Sequence, residues 1–220
     1  RLREQPQKVR YRDPLTNESR EDEVTDATLA AVVRFHAYAP QLFGMLPMLL
    51  AEAASGQFSN LMAQSRMLEQ LIGEQISVPL QLSVMCAEDA PGMRVDPADA
   101  GTLLGTEFVE YTLAQCAVWP RGTMPADFHD AVQSDLPVLL LSGELDPVTP
   151  PRYADKVQRT LPNSRHFVFR GQGHSVLGAG CGPRLVAEFI AAADAKALDG
   201  GCLDQLQYSP PFGGSYGWDP

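Results

Sequence analysis

Two short loops in the later part of the chain carry residue types that together can run acid–base chemistry. Residues 142–150 (SGELDPVTP) hold Glu144 and Asp146, and residues 171–175 (GQGHS) hold His174. A histidine with an ordinary pKa of about 6.5 can take a proton from a hydroxyl near neutral pH and return it to a leaving group. A carboxylate bonded to the other ring nitrogen fixes the tautomer and stabilises the imidazolium that forms. Asp146 and His174 are the candidate acid and base. Pro147 biases Asp146 towards extended backbone, which suits a residue leaving a strand. Glu144 is a rival carboxylate, expected to be solvated so close to a strand end. His36, His129 and His166 fall on a predicted helix, in a polar stretch and inside a predicted strand, without such a context.

Such loops need a scaffold that brings them side by side. Residues 136–141 (LPVLLL) are a continuous apolar run, short enough for a strand buried on both faces of a parallel sheet. Residues 151–161 read as an amphipathic helix with Tyr153, Val157 and Leu161 on one side, and residues 165–169 (RHFVF) as a second strand. Residues 183–198 read as a last helix with Leu185, Val186, Phe189, Ile190 and Ala193 inward. Strand, helix, strand, helix with short loops predicts a right-handed βαβ unit with a covering helix. In such sheets functional groups gather past the C-terminal ends of the strands, where both loops fall.

Upstream the pattern is mostly helical. Residues 8–11 are short and extended, before a turn containing Pro14, Thr16 and Asn17. Thr25 or Asp26 can cap a helix to residue 38, and Pro40 stops it. Residues 47–54 and 59–72 are two further helices. Residues 76–86 (ISVPLQLSVMC) alternate, with Leu80, Leu82 and Val84 against Gln81 and Ser83. They are expected to form a strand, with Glu88 and Asp89 in the loop after it. Residues 105–117 are helical again, and residues 203–220 are an irregular tail.

Composition narrows the function classes. The 220 residues carry a formal net charge of −10, which argues against a nucleic-acid surface. No stretch reaches the roughly 18 apolar residues of a membrane span, and the polar start has no apolar core of a signal peptide. Because the chain begins with Arg1 rather than methionine, a trimmed chain is expected, with any export signal upstream. The four cysteines allow three pairings and lack zinc spacing, so neither a metal nor a cofactor is expected. Cys181 and Cys202 flank one predicted helix. Pairing Cys181–Cys202 and Cys86–Cys116 is favoured over four buried thiols, and paired cysteines favour an oxidising compartment.

The run LPVLLLSGELDPVTPPRYADKVQRTLPNSRHFVFRGQGHSV resembles the closing segment of the α/β-hydrolase fold. More narrowly, residues 136–189 resemble the bacterial tripeptidyl-aminopeptidase-like and prolyl-aminopeptidase-like serine hydrolases. Residues 86–89 (CAED), Cys116 ahead of Trp119–Pro120, and the cysteines around the last helix fit the same likeness. The resemblance implies an α/β fold: the C-terminal part of an α/β-hydrolase sheet with a helical cap region, its first half missing. Residues 1–75 would be the cap, 76–135 a strand and helices leading back, 136–202 the core with the acid and histidine loops, and 203–220 the tail. It also implies that Asp146 and His174 belong to a Ser-His-Asp triad in the chain order nucleophile, acid, histidine. Glu88 would bind the ammonium of a peptide with a free N-terminus. The implied location is periplasmic or secreted.

That order demands a G-x-S-x-G elbow upstream of Asp146, and residues 1–145 contain none. The motif does occur at residues 213–217 (GGSYG), around Ser215. An elbow works because a strand runs into a sharp turn and a helix follows, which exposes the serine and aims amides at the oxyanion. Residues 209–212 (SPPF) are no strand, and three residues after the motif are too few for a helix. Ser215 is therefore rejected, and Phe212, Tyr216 and Trp218 are expected to pack on the surface. The nucleophile is expected upstream of this chain, in the missing half of the fold. The isolated chain is then expected to be inactive and, through an open sheet edge, to aggregate. The function expected is an aminopeptidase-type serine hydrolase acting on short peptides. The alternatives are an esterase or other acyl hydrolase of the same fold, or a non-catalytic hydrolase-like binding module.

Overall fold

The computed structural model describes residues 2–214 and Gly217. The chain forms two compact units, Arg1–Val32 with Gln57–His129, and Val33–Gly56 with Asp130–Pro220.

The first unit opens with a hairpin of β1 (Gln7–Arg12) and β2 (Ser19–Val24), antiparallel in the register Gln7↔Val24 to Arg12↔Ser19. Its turn is held by Asp13, whose Oδ1 accepts from the amides of Leu15 and Thr16 at 3.0 Å. Sequence patterning finds only β1, because β2 (SREDEV) is almost wholly polar and buries only Val24. Helix α1 (Asp26–His36) follows, with its residues up to Val32 in this unit and the rest in the second. Further along, α4 (Ser59–Gln75) packs on β1, and Arg66 of α4 pairs with Asp22 of β2.

The expected strand at residues 76–86 is a helix, α5 (Val78–Glu88). Pro79 sits in its first turn, where a missing amide costs nothing, whereas in a strand it would delete a ladder donor. The alternation around Leu82 is incidental: the buried residues of α5 are Leu82 and Cys86, one helical turn apart. Cys86 is bonded to Cys116 of α6 (Glu107–Val118), and Leu82, Cys86, Ala90 and Cys116 form a small core with Met85, Leu113 and Trp119. Glu88 is accordingly the last residue of a helix, not a loop residue.

The second unit contains α2 (Pro40–Phe43), α3 (Leu46–Ala54) and a parallel βαβ unit: β3 (Val138–Gly143), α7 (Pro151–Gln158) and β4 (Ser164–Phe169). The strands pair in the register Val138↔Ser164 to Gly143↔Phe169. Alternate residues therefore face opposite sides. Leu139, Leu141, Phe167 and Phe169 join Val176, Leu185, Leu198 and Leu203 in the main core. Ser142 and His166 take the other face, which α7 covers.

Helix α8 (Gly182–Ala192) is shorter than the residues 183–198 expected. Ala193 adopts a left-handed conformation (φ 49°), and Asp194 then turns its carboxylate onto the amides of Lys196 and Ala197. Ala195 and Leu198 stay buried beyond the helix end. A disulfide joins Cys181, at the start of α8, to Cys202. None of the described helices is long and apolar enough to cross a membrane.

Candidate active site

Both candidate residues stand where the parallel strands release them. Asp146 follows β3 by three residues, and His174 follows β4 by five. The two loops lie against each other because two glycines permit it. A Cβ on Gly143 would collide with the Gly173 carbonyl, and one on Gly173 with the carbonyl of Tyr38. Backbone bonds then stitch the loops: Glu144 N–H donates to Phe169 O at 3.0 Å, and Leu145 N–H to Gln172 O at 2.9 Å. The His174 amide donates to Tyr38 O at 2.8 Å, and the Tyr38 ring meets the imidazole edge-on at 5.1 Å.

In that frame His174 Nδ1 lies 3.1 Å from each oxygen of Asp146. A carboxylate only accepts, so Nδ1 carries the proton and Nε2 is left for proton transfer. The Asp146 side chain is 3% exposed and that of His174 39% exposed, so a sheltered carboxylate backs an accessible imidazole. Burial pushes the Asp146 carboxyl upward. The amides of Thr149 and Val148, the Thr149 hydroxyl and His174 outweigh it and hold the group below the usual carboxylate range. Those bonds are short: Val148 N–H at 2.8 Å and Thr149 N–H at 2.9 Å to Oδ1, and Thr149 Oγ1–H at 2.8 Å to Oδ2. Sequence reasoning passed over Thr149. The signal was available, since an aspartate followed two and three residues later by free amides, the second on a threonine, is an Asx-type turn.

Glu144 is not in contact with His174. Its Oε2 accepts from the Gly171 amide at 2.8 Å and its Oε1 from the Tyr208 hydroxyl at 2.9 Å. Those two bonds, with Arg170 nearby, hold its carboxyl below the usual range. Glu144 is exposed, as expected, and its two bonds also tie the 142–150 loop to the 171–175 loop and to the C-terminal segment. Gly171, in a left-handed turn (φ 67°), packs on Gln207 and Tyr208, and Arg170 stacks over the Tyr208 ring at 5.0 Å. Phe212 donates its amide to Gly44 O at 2.8 Å, so the tail is held at two points. Ser215, Tyr216 and Trp218 lie outside the described residues. A cavity of about 160 Å³, lined by Ala37, Pro40, Phe43, Leu145, Gly171 and Gly173, lies beside both loops. Glu88 belongs to the other compact unit. Among the described residues no cluster of three or more histidine, cysteine or acidic side chains could hold a metal.

A carboxylate and a histidine on the loops after neighbouring parallel strands, in that chain order, are compatible with an α/β-hydrolase fold. Comparison with known families agrees: residues 102–202 match the family model described as TAP-like protein. Over that stretch, a little under half of its length, the chain is similar to the TAP-like α/β-hydrolases. The match takes in α6, the βαβ unit, both loops, α8 and the Cys181–Cys202 bridge. No curated protein and no solved structure matched this chain. That likeness accords with the resemblance read from residues 136–189, and its matched span begins further upstream.

Proposed function

We propose that this chain supplies the acid, Asp146, and the base, His174, of an aminopeptidase-type serine hydrolase whose nucleophile lies on a segment preceding residue 1. The observation that carries the reading is the bond from His174 Nδ1–H to a buried, hydrogen-bonded Asp146 across two adjacent loops. The absence of a G-x-S-x-G elbow from residues 1–145 supports the position given to the nucleophile. In the reaction, His174 Nε2 takes the serine proton as the oxygen bonds to the peptide carbonyl. The imidazolium, balanced by ionised Asp146, then protonates the amine nitrogen as the C–N bond breaks. Water, deprotonated by the same nitrogen, releases the acyl group and restores the serine. The chain alone, lacking the nucleophile, is inactive in this reading.

Residues 1–75 serve as the cap of such an enzyme, and the strands that complete the sheet come from the same preceding segment. Glu88 is the carboxylate assigned to the substrate ammonium. In the complete enzyme Glu88→Gln is expected to raise KM for peptides with a free N-terminus and leave ester hydrolysis unchanged. The two disulfides are compatible with a periplasmic or secreted location. An esterase of the same fold would use the same pair, and relative rates on aminoacyl amides and simple esters separate the two.

The test is fluorophosphonate labelling of the native host's extract, followed by capture with an antibody to this chain and mass spectrometry. The expected adduct sits on an elbow serine preceding residue 1, in a species larger than this chain. A label on Ser215, or none on any captured species, would overturn the proposal.

A further inference from the structure

A second serine, histidine and aspartate meet beneath α7. His166, whose side chain is only 5% exposed, lies with Nε2 at 2.9 Å from Ser142 Oγ and Nδ1 at 2.9 Å from Asp155 Oδ1. Sequence context gave His166 no role, because Ser142 and Asp155 come beside it only through the pairing of β3 with β4 and the return of α7. The carboxylate of Asp155 accepts from Nδ1–H, so in the neutral ring Nε2 accepts from the Ser142 hydroxyl. The order of atoms resembles a nucleophilic triad. Ser142, however, is buried in strand β3 on the face that α7 covers, where no substrate carbonyl can reach its oxygen.

What the relay does follows from where its ends lie. Ser142 is the residue before Gly143, which ends β3, and Asp155 is on α7, which begins at Pro151. Between them runs the loop that carries Asp146, Val148 and Thr149. We propose that His166 is a positioning residue for Asp146: one imidazole joins both ends of the acid loop and fixes where α7 begins. This inference rests on the acid–base reading of Asp146 and His174. It draws on a further observation, the poor apolar anchoring of α7. That helix has no buried residue, and its Tyr153 and Val157 are 50% and 48% exposed. A helix held so lightly by burial takes its register from directional contacts, and the His166–Asp155 bond is one from the sheet beneath it. Displacing α7 moves the Val148 and Thr149 donors away from Asp146 and frees the carboxylate to leave His174.

The test uses the full chain labelled with 15N-histidine, with the proton-bearing nitrogen of each ring read by long-range 1H–15N correlation. Amide exchange at Val148 and Thr149 is the second readout. Wild-type His174 is expected to carry its proton on Nδ1. Asp155 is 59% exposed, so Asp155→Ala leaves the fold intact. In that variant His174 is expected to drift to the mixed tautomers of a solvated imidazole, and both amides to exchange about tenfold faster. Asp155→Asn keeps an acceptor oxygen and is expected to restore both signals. An unchanged His174 tautomer and unchanged exchange in Asp155→Ala would overturn the proposal, as would equal disturbance by Asn and Ala. Failure of the acid–base reading shows separately, as a His174 tautomer that ignores Asp146→Asn.

Discussion

Asp146 keeps its charge in a buried site because four donors converge on two oxygens. Burial alone would raise its pKa; the hydrogen bonds of Thr149, Val148 and His174 lower it, and their sum prevails. A carboxyl depressed in the fold contributes stability above its unfolded pKa, about 3.9. That contribution is lost as pH falls through the lower folded value. Urea midpoints measured down a pH series should therefore fall steeply at the acid end in the wild type, and less so in Asp146→Asn. The same variant should invert the histidine. An asparagine that keeps its oxygen on the two amides turns its NH2 to His174 Nδ1, which forces the proton to Nε2, the wrong nitrogen for a base. Thr149→Val removes one donor without changing shape much. The expected cost is about 1–2 kcal/mol at neutral pH in urea unfolding, with the Asp146 carboxyl moving up towards its ordinary value. A Thr149→Val chain as stable as wild type would show that the hydroxyl does not hold the carboxylate.

At the scale of elements, the Cys86–Cys116 disulfide stands in for core that α5 and α6 do not supply. The α5–α6 pair buries little beyond Leu82, Cys86, Thr112 and Cys116, with Ala90 just past α5, while Val118 and Tyr111 of α6 are 85% and 66% exposed. Closing a loop with a sequence separation of 30 restricts the unfolded chain by about 3–4 kcal/mol. Replacing Cys86 and Cys116 by serine is expected to lower stability by that amount and to raise amide exchange in α5 and α6 first. Uniform loss across the first unit would mean that the bridge acts on all of it. The elements legible in the sequence are those with a strong local signal. The apolar run of β3, the amphipathic α7, RHFVF and the start of α8 predict the βαβ unit and, through strand order, the Asp146–His174 contact. Polar β2 has no such signal. In α5, five alternating residues outweigh a proline whose position favours a helix. Long-range partners are not written locally at all: the Glu144 clamp on Gly171 and Tyr208, the His166 relay, and the grouping of residues 33–56 with the C-terminal unit arise only when the chain folds back.

For the molecule as a whole, net charge and the open edges of a two-stranded sheet oppose each other. The β3–β4 sheet has two strands, so within the described residues each strand keeps one backbone edge without a strand partner. Such an edge is a template for a further strand, whether the preceding segment proposed above or a second copy. The formal charge of −10 keeps copies apart. Salt shortens the reach of that repulsion from about 10 Å at 0.1 M to about 3 Å at 1 M, and leaves backbone pairing and apolar contact in place. Sedimentation velocity of the isolated chain should therefore show larger species as salt rises, where ionic contacts between copies would give smaller ones. A lysine on the sheet separates edge pairing from simple loss of repulsion. Val168 of β4 is 41% exposed, so Val168→Lys is tolerated by the fold. The substitution lowers the magnitude of the net charge, which by itself favours association, but it places a charge where an added strand would pack. Less association in Val168→Lys than in wild type at equal salt would identify the β4 edge as the contact; more would assign the effect to net charge alone.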